Sequence, residues 1–365
     1  MKHALTIGVF CLVLAGAHRA EAASTAVRRV GTISVPGAPL ASFDIGYVNA
    51  DGIYALADRS NESVDLFAAA SGKFLGRATG FKGYAAATGF SEAGPDGIVG
   101  VGAGTFWAGN GDSTVKVVDV KSRAVVASIS TGGQKRVDEM TYDARDGLVI
   151  VVNNADKPPF LTFIGSRTHK ILGKIVLDHA TDGAEQPAWD PVTGMIYLSI
   201  PVIDHVDANG AVAVINPRTR ILVKMFPVDK CMPAGLAVGP HGHLLVGCSD
   251  DAVAAGFPAK SLVLDARSGK VLATIDQVGG SDEVWYDPKM HNYYLAAGGN
   301  PGGPVLGVID ALTNRWVANL PTGARAHSVA ADPLTGRVFV PIQAAKGAGA
   351  CTSGCIAVFA GAKSR

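Results

Sequence analysis

Ser281–Gly323 reads SDEVWYDPKMHNYYLAAGGNPGGPVLGVIDALTNRWVANLPTG, and its punctuation decides the fold. Four short apolar runs stand in it: Glu283–Tyr286, Tyr293–Ala297, Val305–Ile309 and Trp316–Leu320. Asp-Pro-Lys-Met-His-Asn, Gly-Gly-Asn-Pro-Gly-Gly and Asp-Ala-Leu-Thr-Asn separate them. Runs this short, rich in Val, Ile, Tyr and Trp between Gly, Pro, Asn and Asp clusters, read as strands, and none is long enough for a globular helix. The stretch is therefore a four-stranded meander of roughly 40–45 residues, a length that as a repeat period marks a solenoid or a propeller.

Working outward, the rest of the chain repeats this unit. Seven copies fall at Ala41–Gly80, Phe90–Gly133, Lys135–Thr181, Asp182–Lys230, Cys231–Gly280, Ser281–Gly323 and Ala324–Lys363. The seventh stops one strand short, and Val30–Val35, ahead of the first copy, resembles a fourth strand. A ring in which that N-terminal strand completes the last unit removes exposed sheet edges, which an open array could not tolerate. The expectation is an all-β, seven-bladed β-propeller closed by an N-terminal strand, forming one domain over residues 23–365.

Composition agrees. The 365 residues are 48% hydrophobic and only 17% charged, with 45 glycines, as many turns and few solvated helices would give. Net charge is +1 and no Lys/Arg cluster occurs, so nothing points to nucleic acid or an anionic membrane. Met1-Lys2-His3, the apolar Ala4–Gly16 and Ala20-Glu21-Ala22 read as the three parts of a signal peptide over residues 1–22. No second stretch is long and apolar enough for a membrane anchor. The mature chain is expected to be periplasmic or secreted. Cys231, Cys248, Cys351 and Cys355 then form two disulfides in an oxidising compartment. Cys231 and Cys248 flank a hairpin turning at Gly239–Gly242, nearly equidistant from it, and Cys351 and Cys355 close a tight loop.

Several units resemble a known repeat. VKVVD at Val115–Asp119, AVIN at Ala213–Asn216 and Val308-Ile309-Asp310 followed by VANLPTG are similar to the YVTN-type β-propeller repeat. Gln186–Gly194 and Ser328–Gly336 resemble its first-strand turn, and the likeness extends to YncE-like periplasmic proteins. It implies the propeller fold. It leaves function open, because related seven-bladed propellers include lactonases, nitrite reductase haem domains and amine dehydrogenase heavy subunits.

Motifs for specific chemistry are few. Ser71-Gly72-Lys73 and Ser268-Gly269-Lys270 end like a P-loop but lack its upstream glycine and sit in strand turns. No G-x-S-x-G, H-E-x-x-H or C-x-x-C-H occurs. His241-Gly-His243 lies in a surface turn.

One column of residues stands out when the copies are aligned. Five residues before the first turn lie Asp44, Asp138, Glu185, Ala234, Asp282 and His327, with Asp96 the nearest match in the second copy. Glu139 and Glu283 adjoin them. The innermost strand of a propeller lines its channel, so these groups are expected to ring one mouth. Loops Asn153–Phe160, Pro201–Gly210, Ser249–Lys260, Gly298–Pro304 and Gln343–Cys355 are expected on the same face, bringing His205, Asp204, Asp207, Asp250 and Asp251. Such carboxylates also serve as acceptors for backbone N–H groups in turns, which is the structural alternative. Three functions fit. One is a non-catalytic propeller binding a protein or small-molecule ligand at the mouth. Another is a metal-assisted, lactonase-like hydrolase, with Asp138, Glu185, Asp282 and His327 holding Ca²⁺ or Zn²⁺ and His327 or Glu185 as base. The third is a propeller subunit of an amine dehydrogenase-like redox enzyme.

Overall fold

The structure is a computed structural model and describes residues 27–102, 104–347 and 351–361. The expected signal peptide lies outside the described residues. Seven four-stranded antiparallel sheets stand in a ring. Their innermost strands are Gly46–Val48, Ile98–Gly100, Met140–Asp143, Pro187–Trp189, Pro233–Val238, Val284–Asp287 and Ala330–Ala331. Each blade runs in chain order from the channel outward. The seventh is completed by Arg28–Ser34, which pairs antiparallel with Cys355–Ala360 and so closes the ring.

Burial explains the sequence pattern. Middle strands such as Leu148–Asn153 are buried along their whole length, because a neighbouring blade covers each face. The outermost strands alternate; Ala124–Ser130 exposes every second residue. The core is accordingly divided among the blade interfaces. Seven apolar clusters each join two successive blades, including one that joins the last blade to the first through Phe339, Val358, Tyr54 and Phe67. Each blade's face is thus completed by the next, and the last-to-first cluster continues the core around the closed ring.

Both P-loop-like triplets are turns. Asp265 accepts from Ser268 N at 2.8 Å, and Gly72 and Gly269 hold φ of +73° and +72°. Cys231–Cys248, across the hairpin, and Cys351–Cys355, in the tight loop, are bonded as expected, with Cα–Cα separations of 4.5 and 5.0 Å. The pairing suits an oxidising, extracellular compartment. No helix among the described residues is long and apolar enough to cross a membrane. Within the long loop Ser249–Lys260 stands a short helix, Asp250–Ala254, which Ser249 Oγ caps by accepting from Ala252 N.

Candidate functional site

The aligned column is real. Asp44, Asp96, Asp138, Glu185 and Asp282 each donate their backbone N–H to the second strand of their own blade at the same position. Asp96, matched loosely in the sequence, occupies the equivalent place. Where the next residue is Gly97 or Gly235, a Cβ would fall 2.1 Å from Asp138 O or 2.4 Å from Asp282 O. The inner strands converge that closely at the mouth, and only glycine fits there.

The side chains separate into three chambers. The mouth cavity, of about 530 Å³, is lined by Phe43, Asp44, Arg59, Arg136, Asp250, Asp282, Arg325 and His327. Asp96 and Asp138 lie buried behind it. Arg59 Nη2 donates to Asp44 Oδ2 at 2.7 Å, and Arg59 Nε donates to Asp96 Oδ1 at 2.9 Å with a second, shorter bond from Nη2. Arg136 Nη2 and Asn154 Nδ2 both donate to Asp138 Oδ2 at 2.5 Å. The face is the expected one, since Asn154, Asp250, Gly298 and Gln343, all from the long loops, reach it. Glu185 and His205 belong instead to a side cavity of about 450 Å³ between Asn154–Pro159 and Asp178–Glu185. Glu139 and Glu283, placed by the sequence at the mouth, line a third chamber of about 430 Å³ formed by the channel walls beyond it. One step along a strand turns a side chain to the other side, so Asp282 and Glu283 face different chambers.

The two arginines escaped the sequence reading. Arg59 stands one residue beyond the second strand of blade 1, where the other blades carry Gly111, Asn154, Pro201, Ser249, Gly298 and Gln343. The same alignment that finds the acidic column finds this one. Arg136 precedes Asp138 by two residues, as Arg325 precedes His327, which puts each pair on one side of its strand.

Charge compensation is uneven. Burial pushes Asp44 up, but Arg59, the hydrogen bond from His327 and Arg136 outweigh it and hold the carboxyl at about 2. Burial raises Asp138 to about 6 against the pull of Arg136. Asp282 has no cation at hydrogen-bond distance among the described residues; burial and the charges of Asp44, Asp250 and Asp138 push it to about 7 despite His327. Burial, then Asp138 and Asp282, raise Glu185 well above its usual range. His327 stacks on Phe43 with ring centroids 4.8 Å apart and planes 7° apart. Its Nδ1 faces Arg325 O at 2.7 Å and its Nε2 faces Asp44 Oδ1 at 3.4 Å. An imidazole with an acceptor at each nitrogen favours the imidazolium, and Asp44 and Asp282 raise its pKa against the opposing effect of burial.

The donor atoms of Asp44, Asp96 and Asp138 lie within 4.8 Å of one another, close enough to share a cation. Of the expected metal set Asp138, Glu185, Asp282 and His327, only Asp138 belongs to this group. Two guanidiniums already face its three carboxylates, leaving one negative charge in the cluster when all are ionised.

The fold and this mouth define a seven-bladed β-propeller with an ion-paired, polar channel entrance. Neither a protein-family model nor a curated protein sequence matches the chain, so the YVTN resemblance is not confirmed as family membership. Solved structures do match: a chain of the structure titled Kuenenia stuttgartiensis Hydrazine Synthase superposes with a TM-score of 0.66 at 15% identity, over 84% of this chain and 94% of that one. An identity that low shows the shared propeller and nothing of the site. The 1617 solved chains that match point the same way, since a fold so widely used carries no single function.

Proposed function

We propose that the chain is an exported, YVTN-type binding propeller, similar to YncE-like periplasmic proteins, without catalysis of its own. Its ligand is a small molecule bearing one positive and one negative group, held in the mouth cavity. One observation carries this reading: Arg325, which pairs with no carboxylate among the described residues, shares a single 530 Å³ cavity with Asp282 and Asp250, while Arg59 and Arg136 are already paired. A cavity of that size suits a small ligand. Asp282, which accepts no hydrogen bond from a described residue, takes the cationic group, while Arg325 takes the anionic one in charge-assisted hydrogen bonds. The stacked and doubly faced His327 serves as a fixed wall rather than as a base.

The test is a melting series with glycine, the other α-amino acids and simple dipeptides, against methylamine and acetate as the separated charges. A saturable rise with a zwitterion, absent for both fragments and lost in Asp282→Asn, supports the reading. No rise with any zwitterion, or an equal rise in Asp282→Asn, overturns it.

A second reading rests on the clustered carboxylates. A divalent cation, Ca²⁺ or Zn²⁺, would bind Asp44, Asp96 and Asp138 if Arg59 and Arg136 moved aside; Asp96 Oδ2, buried and without a hydrogen-bond partner, is a free ligand atom for it. Melting temperature against Ca²⁺, Zn²⁺ and chelator separates the two readings, because the zwitterion site gains nothing from metal.

A further inference from the structure

The third chamber is built unlike the mouth and shares no lining residue with it. We propose that it binds an organic ammonium ion, with the charged head between Glu139 and Glu283 and the alkyl groups against Tyr47, Trp189 and Trp285.

Glu139 is only 7% exposed, lines the chamber, and its carboxyl accepts no hydrogen bond from a described residue. Glu283, at 2%, is better served: Gln186 Nε2 donates to Oε1 at 3.3 Å and Ser328 Oγ donates to Oε2 at 3.0 Å. An ionised carboxylate without a donor is costly to bury, so Glu139 must hold either a proton or a counter-ion. Burial and then the Glu283 charge raise Glu139, and burial and then Asp282 raise Glu283. A bound cation would supply the counter-charge in place of a proton.

The walls choose among cations. A hard divalent ion wants six or more oxygens. Here Gln186 Oε1 is already committed to Leu236 N at 2.7 Å and Val284 N at 3.2 Å. Much of the remaining lining is apolar, including Ile45, Ile98 and Val284. Tyr47 and Trp285 meet edge to face at 5.0 Å and 71°, and Trp189 joins them as a third half-buried aromatic wall. Half-buried aromatic faces beside a carboxylate attract weakly hydrated ammonium groups through the ring quadrupole, which favours an alkylated ammonium over a bare metal ion.

The mature protein is tested with tetramethylammonium chloride against sodium chloride at equal ionic strength, and with choline against its neutral isostere 3,3-dimethylbutan-1-ol. Binding is read both as melting temperature and as fluorescence of the lining tryptophans. The expected result is a saturable shift with each ammonium and none with the alcohol. Glu139→Gln, which keeps the shape and removes the charge, should weaken binding by about tenfold or more. Trp285→Leu should weaken it while leaving both carboxyls in place, and so serves if Glu139→Gln folds poorly. No saturable shift up to on the order of 50 mM ammonium, a millimolar-or-weaker limit, overturns the proposal. So does equal binding by Glu139→Gln, or a Glu139-dependent shift given by Ca²⁺ alone.

Discussion

The innermost strands of blades 3, 4 and 6 carry an acidic residue at both ends, and across the ring the two ends use their acids differently. At the end far from the long loops stand Asp143, Asp190, Asp287 and Asp332, with Asn49 in blade 1. Each aspartate accepts the backbone N–H two residues on, at 2.8 to 3.0 Å, and pins the turn into the second strand. At the near end Asp44, Asp96 and Asp138 accept from the side chains of Arg59, Arg136, Asn154 and His327, and Asp282 accepts nothing from a described residue. The far column repeats in the blades that share this turn. The near column repeats in position while its partners differ from blade to blade, as a site built on a scaffold does.

Removing the cation from the near column should have the largest effect. Arg59→Met leaves Asp44 and Asp96 buried without their guanidinium, and the expected loss is about 3–5 kcal/mol in urea unfolding. Arg145→Met at the far end, where the side chain is partly exposed beside Trp189, should cost well under 1 kcal/mol, the usual order for surface positions. Equal costs at the two arginines would erase the distinction between the columns.

Removing an acid from the far column comes next. Asp190 accepts from Val192 N at 2.8 Å and from Thr193 N and Oγ1 at 3.3 and 2.7 Å. Asp190→Ala should lower stability by about 1–3 kcal/mol, the range for hydrogen bonds to a charged group, and leave zwitterion and metal responses at the mouth unchanged. A changed mouth response would mean that the two ends of the strand are coupled.

Much of this was legible in the sequence, for identifiable reasons. Turn residues fix strand ends in every copy, so counting back from Asp143 or Asp287 lands on Asp138 or Asp282 without any structure. A closing strand at Val30–Val35 followed from the missing fourth strand of the last copy, and the structure forms it over Arg28–Ser34. The compensation did not follow. Arg59 has no arginine counterpart in six other blades, and its reach from blade 1 to Asp96 of blade 2 is a tertiary fact that no repeat pattern encodes. The division of Asp282 from Glu283 was available from strand alternation, but the separate chambers they enter depend on how the blades tilt around the channel. Glu185 likewise keeps its place in the column, while the loops that lead to Asn154 and His205 draw it into a side cavity.

The smallest expected effect belongs to Asp282, and its sign separates the columns most sharply. Its folded pKa, about 7, exceeds the unfolded value of about 3.9, so the native state holds this proton over a range where the unfolded chain has released it. The stabilisation from that proton is complete below about pH 4 and is lost as pH rises toward 7. Asp282→Asn has no proton to lose there. The unmodified protein should therefore lose stability relative to the variant between pH 4 and 7, by about 1 kcal/mol or less, because water in the open cavity screens the charge. At pH 7 the variant should be slightly the more stable protein, the opposite of Asp190→Ala. Urea midpoints for both proteins at pH 4, 5.5 and 7 measure the difference directly. A variant that is less stable at every pH would place Asp282 with the turn-pinning aspartates and leave the mouth without its uncompensated charge.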